Sequence, residues 1–375
     1  MSIFYNFETK QFYLNTKHTS YVMELYENHL VHSYWGSRVN KIPNLEYYYP
    51  FKFGADFSAT DIPGKLFNST DKLRQEYPTY GTGDMRNPAL QVENASGDSI
   101  TRLRYESHRI FNGKPALSGL PATYGEDCET LEITLTDDLT GVTAVLYYTV
   151  FPEKDVLTRS VRVENRGNKP CTLENVASFC LDLHQDGFEV IHLHGAWAKE
   201  RHIQRLPQSA ATMVFDSKRG ASSHNENPFI ALVRPETTED YGDAYGFCLM
   251  YSGSFHAEVS GEQFGSTRVK MGIQPFGFAW DLKPGESFQA PEAVLVYSDR
   301  GLGEMSRRFH KIIRKNVCRG KFRDTERPVL INNWEATYFQ FDQEKILKLA
   351  QKAKAIGVDL MVLDDGWFGK RDKDN

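Results

Sequence analysis

The fold is decided near the end of the chain, where residues 328–369 read PVLINNWEATYFQFDQEKILKLAQKAKAIGVDLMVLDDGWFG. Residues 329–331 form a short apolar run suited to a buried strand. Asp342 is a good N-cap for the helical pattern that follows, and Gly357 is a natural helix stop. Residues 358–363 are apolar apart from one aspartate, as in a strand covered on both faces. This order of strand, helix and strand predicts a βαβ unit, which requires a parallel sheet.

One βαβ unit is not a finished domain. Two parallel strands leave an open sheet edge and an uncovered apolar face. Residues 328–375 are far too few for a (β/α)8 barrel, which takes about 250 residues. We therefore expect the chain to be the front part of a longer protein, with 328–375 as the start of an incomplete (β/α)8 barrel.

The preceding 300 residues have a different character, with short runs of β-branched and aromatic residues between turn signals. Residues 142–151 are one such run, ended by Pro152, and Lys283-Pro284-Gly285 is one such turn. The spacing predicts a large antiparallel β-supersandwich over residues 1–300. Residues 301–327 begin with an amphipathic helix pattern and are predicted to be a helical connector. The predicted fold class is mainly β.

Composition excludes several classes of function. The chain has 375 residues, 40% apolar and 25% charged, with a formal net charge of −5. This balance predicts no nucleic-acid partner. No stretch approaches the ~18 apolar residues of a membrane span, and the first residues lack a secretory signal pattern. Five scattered cysteines without a CxxC pair indicate a reducing compartment, so we expect a cytoplasmic protein without membrane association.

The residues best suited to chemistry follow the two predicted parallel strands. Trp334 follows the first, and Asp364, Asp365 and Trp367 follow the second. Ligands of such folds bind at the carboxyl ends of the strands. Carboxylates accept hydrogen bonds from sugar hydroxyls, and indole rings cover the apolar faces of a pyranose, so this set predicts carbohydrate binding. The alternative is that an aspartate caps a following helix while the tryptophans pack.

The two adjacent aspartates do not fit the catalytic pair of a glycosidase. A retaining enzyme places its two carboxylates ~5.5 Å apart on either side of the scissile bond. Neighbours on an extended chain project to opposite sides of the strand. Asp364 and Asp365 are therefore interpreted as hydroxyl-binding groups.

These motifs closely resemble the α-galactosidases of glycoside hydrolase family 36. The resemblance rests on WEATYF and LDDGWFG, and it extends through most of the chain. The other matching segments are ADFS (55–58), EYPTYGTGD (76–84), GAWAKERHIQR (195–205), SSHNENPF (222–229) and MGIQPFGFAWDLKPGE (271–286).

The resemblance implies a fold, an activity and roles for particular residues. Members have a β-supersandwich, a (β/α)8 barrel and a small C-terminal β domain, and they release terminal α-linked galactose from melibiose or raffinose with retention, without a metal or other cofactor. By analogy, Asp364 and Asp365 would bind the galactose hydroxyls at C4 and C6, and Trp334 would form a pocket wall. The resemblance to tetrameric members of the family implies a homotetramer. In such a tetramer, Asp56 of ADFS would reach the active site of a neighbouring subunit. The alternative is that Asp56 is an ordinary exposed aspartate in a loop.

The departure from the family pattern concerns the catalytic residues. The family nucleophile belongs to a Lys-Trp-Asp-x-Asn segment, and no Lys-Trp-Asp occurs in this chain. Trp280-Asp281 follows an alanine and precedes a Lys-Pro-Gly turn within the predicted sandwich, so we reject it as the nucleophile. The sequence thus predicts substrate-binding residues and no catalytic residue. Both the nucleophile and the acid/base carboxylate are expected beyond Asn375, the last residue of this chain.

Three alternatives remain open at this stage. The sandwich could be a stand-alone carbohydrate-binding or assembly module, or the enzyme could act on α-N-acetylgalactosaminides or transfer galactose between sugars.

His192 and His194, with His184 upstream, could suggest a metal site. Without a convincing third ligand we expect packing or surface roles for these histidines and no metal.

The first testable prediction concerns activity. The purified 375-residue chain should not hydrolyse 4-nitrophenyl α-galactoside, because it contains no match to the family's nucleophile segment. Release of 4-nitrophenol is followed by absorbance. Turnover by the purified polypeptide would contradict the absence of a catalytic pair.

Overall fold

The structure is a computed structural model, and it describes residues 2–45 and 70–368. The chain divides into two compact units, residues 1–317 and residues 318–375. This division lies inside the predicted connector; the predicted limits at 300 and 327 stay predictions. In the described part, no helix combines the length and the hydrophobicity that crossing a bilayer requires.

Two of the sequence predictions fall on residues that the structure does not describe. Asp56, the predicted contact to a neighbouring subunit's site, lies outside the described residues. Asn375, beyond which the nucleophile and the acid/base carboxylate are expected, lies outside them as well. The role of Asp56 and the location of the catalytic pair after Asn375 therefore stay predictions.

Strands are the main regular secondary structure of the described residues. In chain order the strands are β1 (Ile3–Asn6), β2 (Gln11–Asn15), β3 (Thr19–Tyr26), β4 (His29–Ser37), β5 (Leu90–Glu93), β6 (Arg104–Asn112), β7 (Glu129–Thr136), β8 (Val142–Phe151), β9 (Val156–Asn165), β10 (Cys171–Leu183), β11 (Glu189–Ala196), β12 (Lys199–Pro207), β13 (Met213–Asp216), β14 (Glu226–Val233), β15 (Ala244–Met250), β16 (Phe255–Gly261), β17 (Thr267–Ile273), β18 (Trp280–Leu282), β19 (Ser287–Gln289), β20 (Glu292–Ser298), β21 (Leu330–Asn332) and β22 (Leu360–Val362). The helices are α1 (Gly301–Asn316), α2 (Trp334–Thr337) and α3 (Gln343–Ala355), with 3₁₀ turns at Thr70–Lys72, Pro152–Lys154 and Lys321–Arg323.

Three antiparallel sheets build the first unit. One has the order β1-β2-β3-β4, and a six-stranded sheet has the order β13-β16-β17-β10-β18 with β5 also paired to β10. The third has ten strands in the order β12-β11-β14-β15-β20-β9-β8-β7-β6, with β19 paired to β9. The predicted mainly β sandwich is confirmed, and the predicted run 142–151 is strand β8, all of it buried.

Aromatic side chains fill the space between the sheets. Phe179 of β10 stacks on Phe247 of β15 with ring centroids 5.3 Å apart. Trp35 of β4 meets Phe247 at 5.7 Å and Tyr245 at 5.3 Å in edge contacts. Such pairs contribute roughly 0.5–1.5 kcal/mol each beyond the area they bury. All three sheets therefore share one core.

Glu76 is the centre of a fully buried polar network in this core. Its carboxylate accepts hydrogen bonds from the hydroxyls of Tyr21 (2.6 Å) and Tyr148 (2.9 Å) and pairs with Arg159 at 2.9 Å. His32 Nδ1 lies 2.9 Å from the same carboxylate. Burial alone would raise the pKa of Glu76, but Arg159 and His32 outweigh it and lower that pKa. Glu76 lies in the loop after residue 70, whereas its partners lie on strands. The buried network therefore fixes this loop to the sheets.

Helix α1 packs on the ten-stranded sheet. Met305, Phe309 and Ile312 are buried on one face of the helix, in agreement with the amphipathic pattern of this segment. Strand β15 carries Gly246 directly beneath it, and a Cβ there would lie 2.5 Å from the Phe309 ring. The missing side chain therefore lets the helix approach the strand closely.

The second unit contains the predicted βαβ arrangement. Asp342 caps α3 by accepting a hydrogen bond from the Lys345 backbone N–H at 2.9 Å, and Gly357 has a left-handed φ of 87°. The second strand is shorter than the predicted 358–363, because the Val358 N–H is still engaged by the Ala353 carbonyl at the end of α3. The helix boundary thus delays the start of β22 to Leu360.

The second testable prediction concerns acid stability. Burial and the neighbouring Arg104 lower the pKa of His29 from 6.5 to about 3. The imidazole of His29 therefore binds a proton more readily in the unfolded chain than in the folded one. As the pH falls below 6.5 toward 3, this difference should lower the free energy of unfolding by about 1.4 kcal/mol per pH unit. His29→Gln should flatten this slope in urea unfolding followed by near-UV circular dichroism. His310→Gln on the exposed side of α1 is the control, and an unchanged slope in His29→Gln would contradict the assignment.

Candidate carbohydrate-binding site

The parallel pair β21 and β22 forms the base of the candidate site. Leu330 pairs with Leu360, Ile331 with Met361 and Asn332 with Val362. Because parallel strands run in the same direction, the segments after Asn332 and Val362 leave the sheet at the same edge. Ligands bind at this edge in α/β folds.

Asn333 joins the two segments. Its side chain is fully buried, and its Oδ1 accepts a hydrogen bond from the Asp364 backbone N–H at 2.7 Å. Its Nδ2 donates to Thr337 Oγ1 at 2.9 Å, and its backbone N–H donates to the Val362 carbonyl at 3.3 Å. One asparagine therefore fixes the start of the aspartate pair relative to α2.

Asn332 makes a second link across the edge. Its Nδ2 donates to Asp364 Oδ2 at 2.5 Å, and its Oδ1 accepts from the Trp334 N–H at 2.8 Å. The same amide thus orients the first aspartate and holds the backbone that carries the indole. Neither asparagine was predicted as a site residue; the Asn-Asn pair directly after an apolar strand marks the position but does not indicate which groups the two amides bind.

The two aspartates differ in their hydrogen bonding. Besides the bond from Asn332, Asp364 accepts the Asp365 N–H on Oδ1 at 2.8 Å. Asp365 Oδ1 accepts the Gly366 N–H at 3.2 Å, and in the described part of the chain no hydrogen bond is assigned to its Oδ2. Both residues are half-buried. Asp364 is thus held in one orientation, while the carboxylate of Asp365 has fewer assigned hydrogen bonds among the described residues.

The aromatic residues of WEATYF pack on one another and on the aspartate turn. The Trp334 ring meets Tyr338 at 5.2 Å and Phe339 at 4.9 Å, both edge to face. A Cβ added at Gly366 would lie 3.1 Å from the Phe341 ring and 3.4 Å from Phe339. With a φ of 93°, Gly366 is the residue that lets the turn pass over these rings.

The structure therefore brings together three of the five predicted site residues at one edge. Trp334, Asp364 and Asp365 are linked through the two asparagines and the aromatic contacts. Trp367 is 67% exposed beside them in sequence and packs edge to face on Phe368 at 5.9 Å. Their roles in binding stay predictions, and the fifth residue, Asp56, is outside the described residues.

The other segments considered from the sequence have protein partners. His192 Nδ1 lies 2.8 Å from Glu226 Oε1, and its Nε2 lies 3.0 Å from Gln204 Oε1. Among residues 2–45 and 70–368, no group of three or more potential metal-ligating side chains is assembled. Trp280 and Asp281 belong to β18 in the sandwich, where the Thr172 hydroxyl donates to Asp281 Oδ1.

Family models agree with this architecture. Residues 28–283 match the glycosyl hydrolase family 36 N-terminal domain, and residues 287–375 match the melibiase domain. The chain belongs to glycoside hydrolase family 36, which confirms the resemblance read from the sequence.

Individual relatives are similar along the whole chain. Alpha-galactosidase AgaA of Geobacillus stearothermophilus is 49% identical over 378 residues, covering 100% of this chain and 52% of the relative. The crystal structure of alpha-galactosidase AgaB from the same organism superposes with a TM-score of 0.94 at 48% identity, covering 100% of this chain and 51% of that one. An AgaA variant in complex with raffinose gives 0.93 at 49% identity, covering 97% and 51%. The chain spans about half the length of these relatives.

The third testable prediction concerns Asn333. Asn333→Ala should remove the acceptor of the Asp364 amide and speed its hydrogen exchange roughly tenfold or more, equivalent to about 1.4 kcal/mol of local stability. Exchange is measured by mass spectrometry on peptides covering 360–368. Thr337→Ala, which keeps the Asn333 acceptor, is the control; unchanged exchange in Asn333→Ala would show that the link is unimportant.

Proposed function

We propose that the protein to which this chain belongs is an α-galactosidase that hydrolyses terminal non-reducing α-D-galactose from oligosaccharides of the melibiose and raffinose type. The observation that carries the proposal is the meeting of two adjacent carboxylates and an indole-bearing segment at the edge of β21 and β22. The similarity to proteins named alpha-galactosidases, one of them crystallised with raffinose, supports the same substrate class.

The chain supplies substrate-binding groups in this proposal. Asp364 and Asp365 accept hydrogen bonds from the galactose hydroxyls at C4 and C6, while Trp334 forms a wall and Trp367 covers an apolar sugar face. Asp364 is already oriented by Asn332 and by the Asp365 backbone, so little reorganisation accompanies binding. Such charge-assisted hydrogen bonds are stronger than neutral ones and specify hydroxyl positions.

The chemistry proceeds by two displacements with retention of configuration. A carboxylate attacks the anomeric carbon as a protonated carboxyl gives its proton to the departing glycosidic oxygen. Water then attacks the anomeric carbon of the glycosyl-enzyme and displaces the first carboxylate, while the carboxylate that gave the proton takes one from the water, which releases galactose. No residue of this chain is assigned to either catalytic role, and binding of the galactose hydroxyls stabilises both transition states.

Location and assembly belong to the same proposal. The five cysteines are free thiols, which favours a cytoplasmic protein. A homotetramer in which Asp56 reaches the neighbouring subunit's site is supported by the resemblance alone.

The fourth testable prediction concerns Asp364. In the active protein, Asp364→Ala should lower kcat/KM for raffinose by roughly 30- to 900-fold, because about 2–4 kcal/mol of transition-state binding depends on this charged hydrogen-bond partner. Initial rates of galactose release give the value.

Asp359→Ala is the matched control for this experiment. Asp359 accepts the Val329 N–H at 3.2 Å at the opposite end of the strand pair from the site, so its loss should leave kcat/KM nearly unchanged. An unchanged kcat/KM in Asp364→Ala would remove Asp364 from the site.

A further inference from the structure

A second polar cleft lies in the first unit, at one end of the four-stranded sheet. The turn between β1 and β2 and the turn between β3 and β4 are neighbours there, and Tyr105 of β6 and Asn44 complete the walls. Its volume is about 480 Å³. This size is within the range of small-molecule sites, about 300–1,000 Å³.

Backbone hydrogen bonds hold the two turns in place. The Leu25 N–H donates to the Lys10 carbonyl at 3.0 Å, and the Tyr105 N–H donates to the Asn28 carbonyl at 2.9 Å. Asn44 Nδ2 donates to the Thr9 carbonyl at 3.0 Å. Each wall is thus fixed to another element, so the cleft is a built feature of the sheet end.

The lining combines aromatic rings with hydrogen-bonding side chains. Tyr5, Tyr26 and Tyr105 contribute rings from three different strands. Tyr105 is anchored by a 2.6 Å hydrogen bond between its hydroxyl and His108 Nδ1, and Tyr5 packs on Phe12 with centroids 4.5 Å apart. Rings held in this way offer rigid contact surface at low entropic cost.

Both kinds of hydrogen-bonding group surround the rings. Glu8 and Glu27 supply carboxylate acceptors, Lys10 supplies donors, and Asn28 supplies both. The third carboxylate of the lining, Glu24, already accepts the Leu45 N–H. A ligand whose hydroxyls donate and accept at many positions, with apolar C–H faces between them, matches this lining. A neutral saccharide has this chemistry.

A larger cleft in the same unit provides a contrast. The cleft beside α1 has a volume of about 1050 Å³, and its lining mixes apolar side chains such as Ile203 and Phe309 with polar ones such as Arg201. It differs from the smaller cleft in having no tyrosine ring among its described lining residues.

We propose that the cleft between the β1–β2 and β3–β4 turns is a second oligosaccharide-binding site, separate from the Asp364 edge. Its ligand is one hexose unit of a neutral galactosyl oligosaccharide, and the choice of galactosyl sugars rests on the proposed function. Lone hexose sites are weak, so we expect a dissociation constant of about 1 mM.

The test is a raffinose titration followed by ¹H–¹⁵N or saturation-transfer NMR on purified protein. The background is Asp364→Ala with Asp365→Ala, which removes the hydroxyl acceptors of the proposed galactosidase pocket. In this background raffinose should still bind, and Asn28→Gly should weaken it roughly fivefold or more while preserving the left-handed φ of 64° at that turn position. Tyr105→Ala should weaken binding similarly and Tyr105→Phe should not, because only the first removes the ring.

Controls separate this site from the others. Ile203→Ala, in the larger cleft, should leave binding unchanged. Raffinose binding abolished by the aspartate double variant would overturn the second site while supporting the proposed function. Binding that persists in that background but is unaffected by Asn28→Gly and Tyr105→Ala would overturn the second site as well. Binding of spermidine in place of raffinose, with displacement by salt, would also overturn it, because the carboxylates would then select a cation.

Discussion

The buried amide of Asn333 is the interaction on which the candidate site depends. It accepts from the Asp364 N–H, and through Thr337 it holds the short helix that begins at Trp334. Two polypeptide segments separated by about thirty residues therefore meet with a fixed offset. The parallel register of β21 and β22 provides the edge, but the register alone leaves the positions of the aspartates beyond the strand free. The asparagine removes that freedom.

The βαβ unit and its edge could be predicted because their signals are local. An N-cap at Asp342, a glycine at 357 and two apolar runs define a strand, a helix and a strand, and parallel geometry then places Trp334 and Asp364 at one edge. The bonds from Asn332 and Asn333 could not be predicted, since each partner lies on the other strand and asparagine after a strand is common in ordinary turns. The length of β22 also depended on the end of α3, where the Val358 N–H closes the helix.

The sandwich was predictable as a class of fold but not as a topology. Short strands and turn signals at Lys283-Pro284-Gly285 indicate antiparallel sheets, yet β10 pairs with β5, β17 and β18, which are distant in sequence. The burial of the charged side chains of Arg159 and Glu76 could not be predicted either, because a charged residue is normally expected at the surface. Both the strand order and the burial of this charged pair depend on contacts between segments that are distant in sequence. No local sequence pattern indicates such contacts.

The adjacent aspartates differ in how firmly hydrogen bonds hold their carboxylates. Asp364 has a donor on each carboxylate oxygen, so its geometry is set before a ligand arrives and it can add acceptor capacity only along the remaining lone pairs. Asp365 is held by a single long bond from Gly366 and can turn to follow a hydroxyl. A fixed acceptor discriminates the configuration of a sugar carbon, whereas a movable one accommodates an exocyclic hydroxymethyl group. Within the proposed function, we therefore assign Asp364 to the ring hydroxyl at C4 that distinguishes galactose from glucose, and Asp365 to the freely rotating hydroxyl at C6.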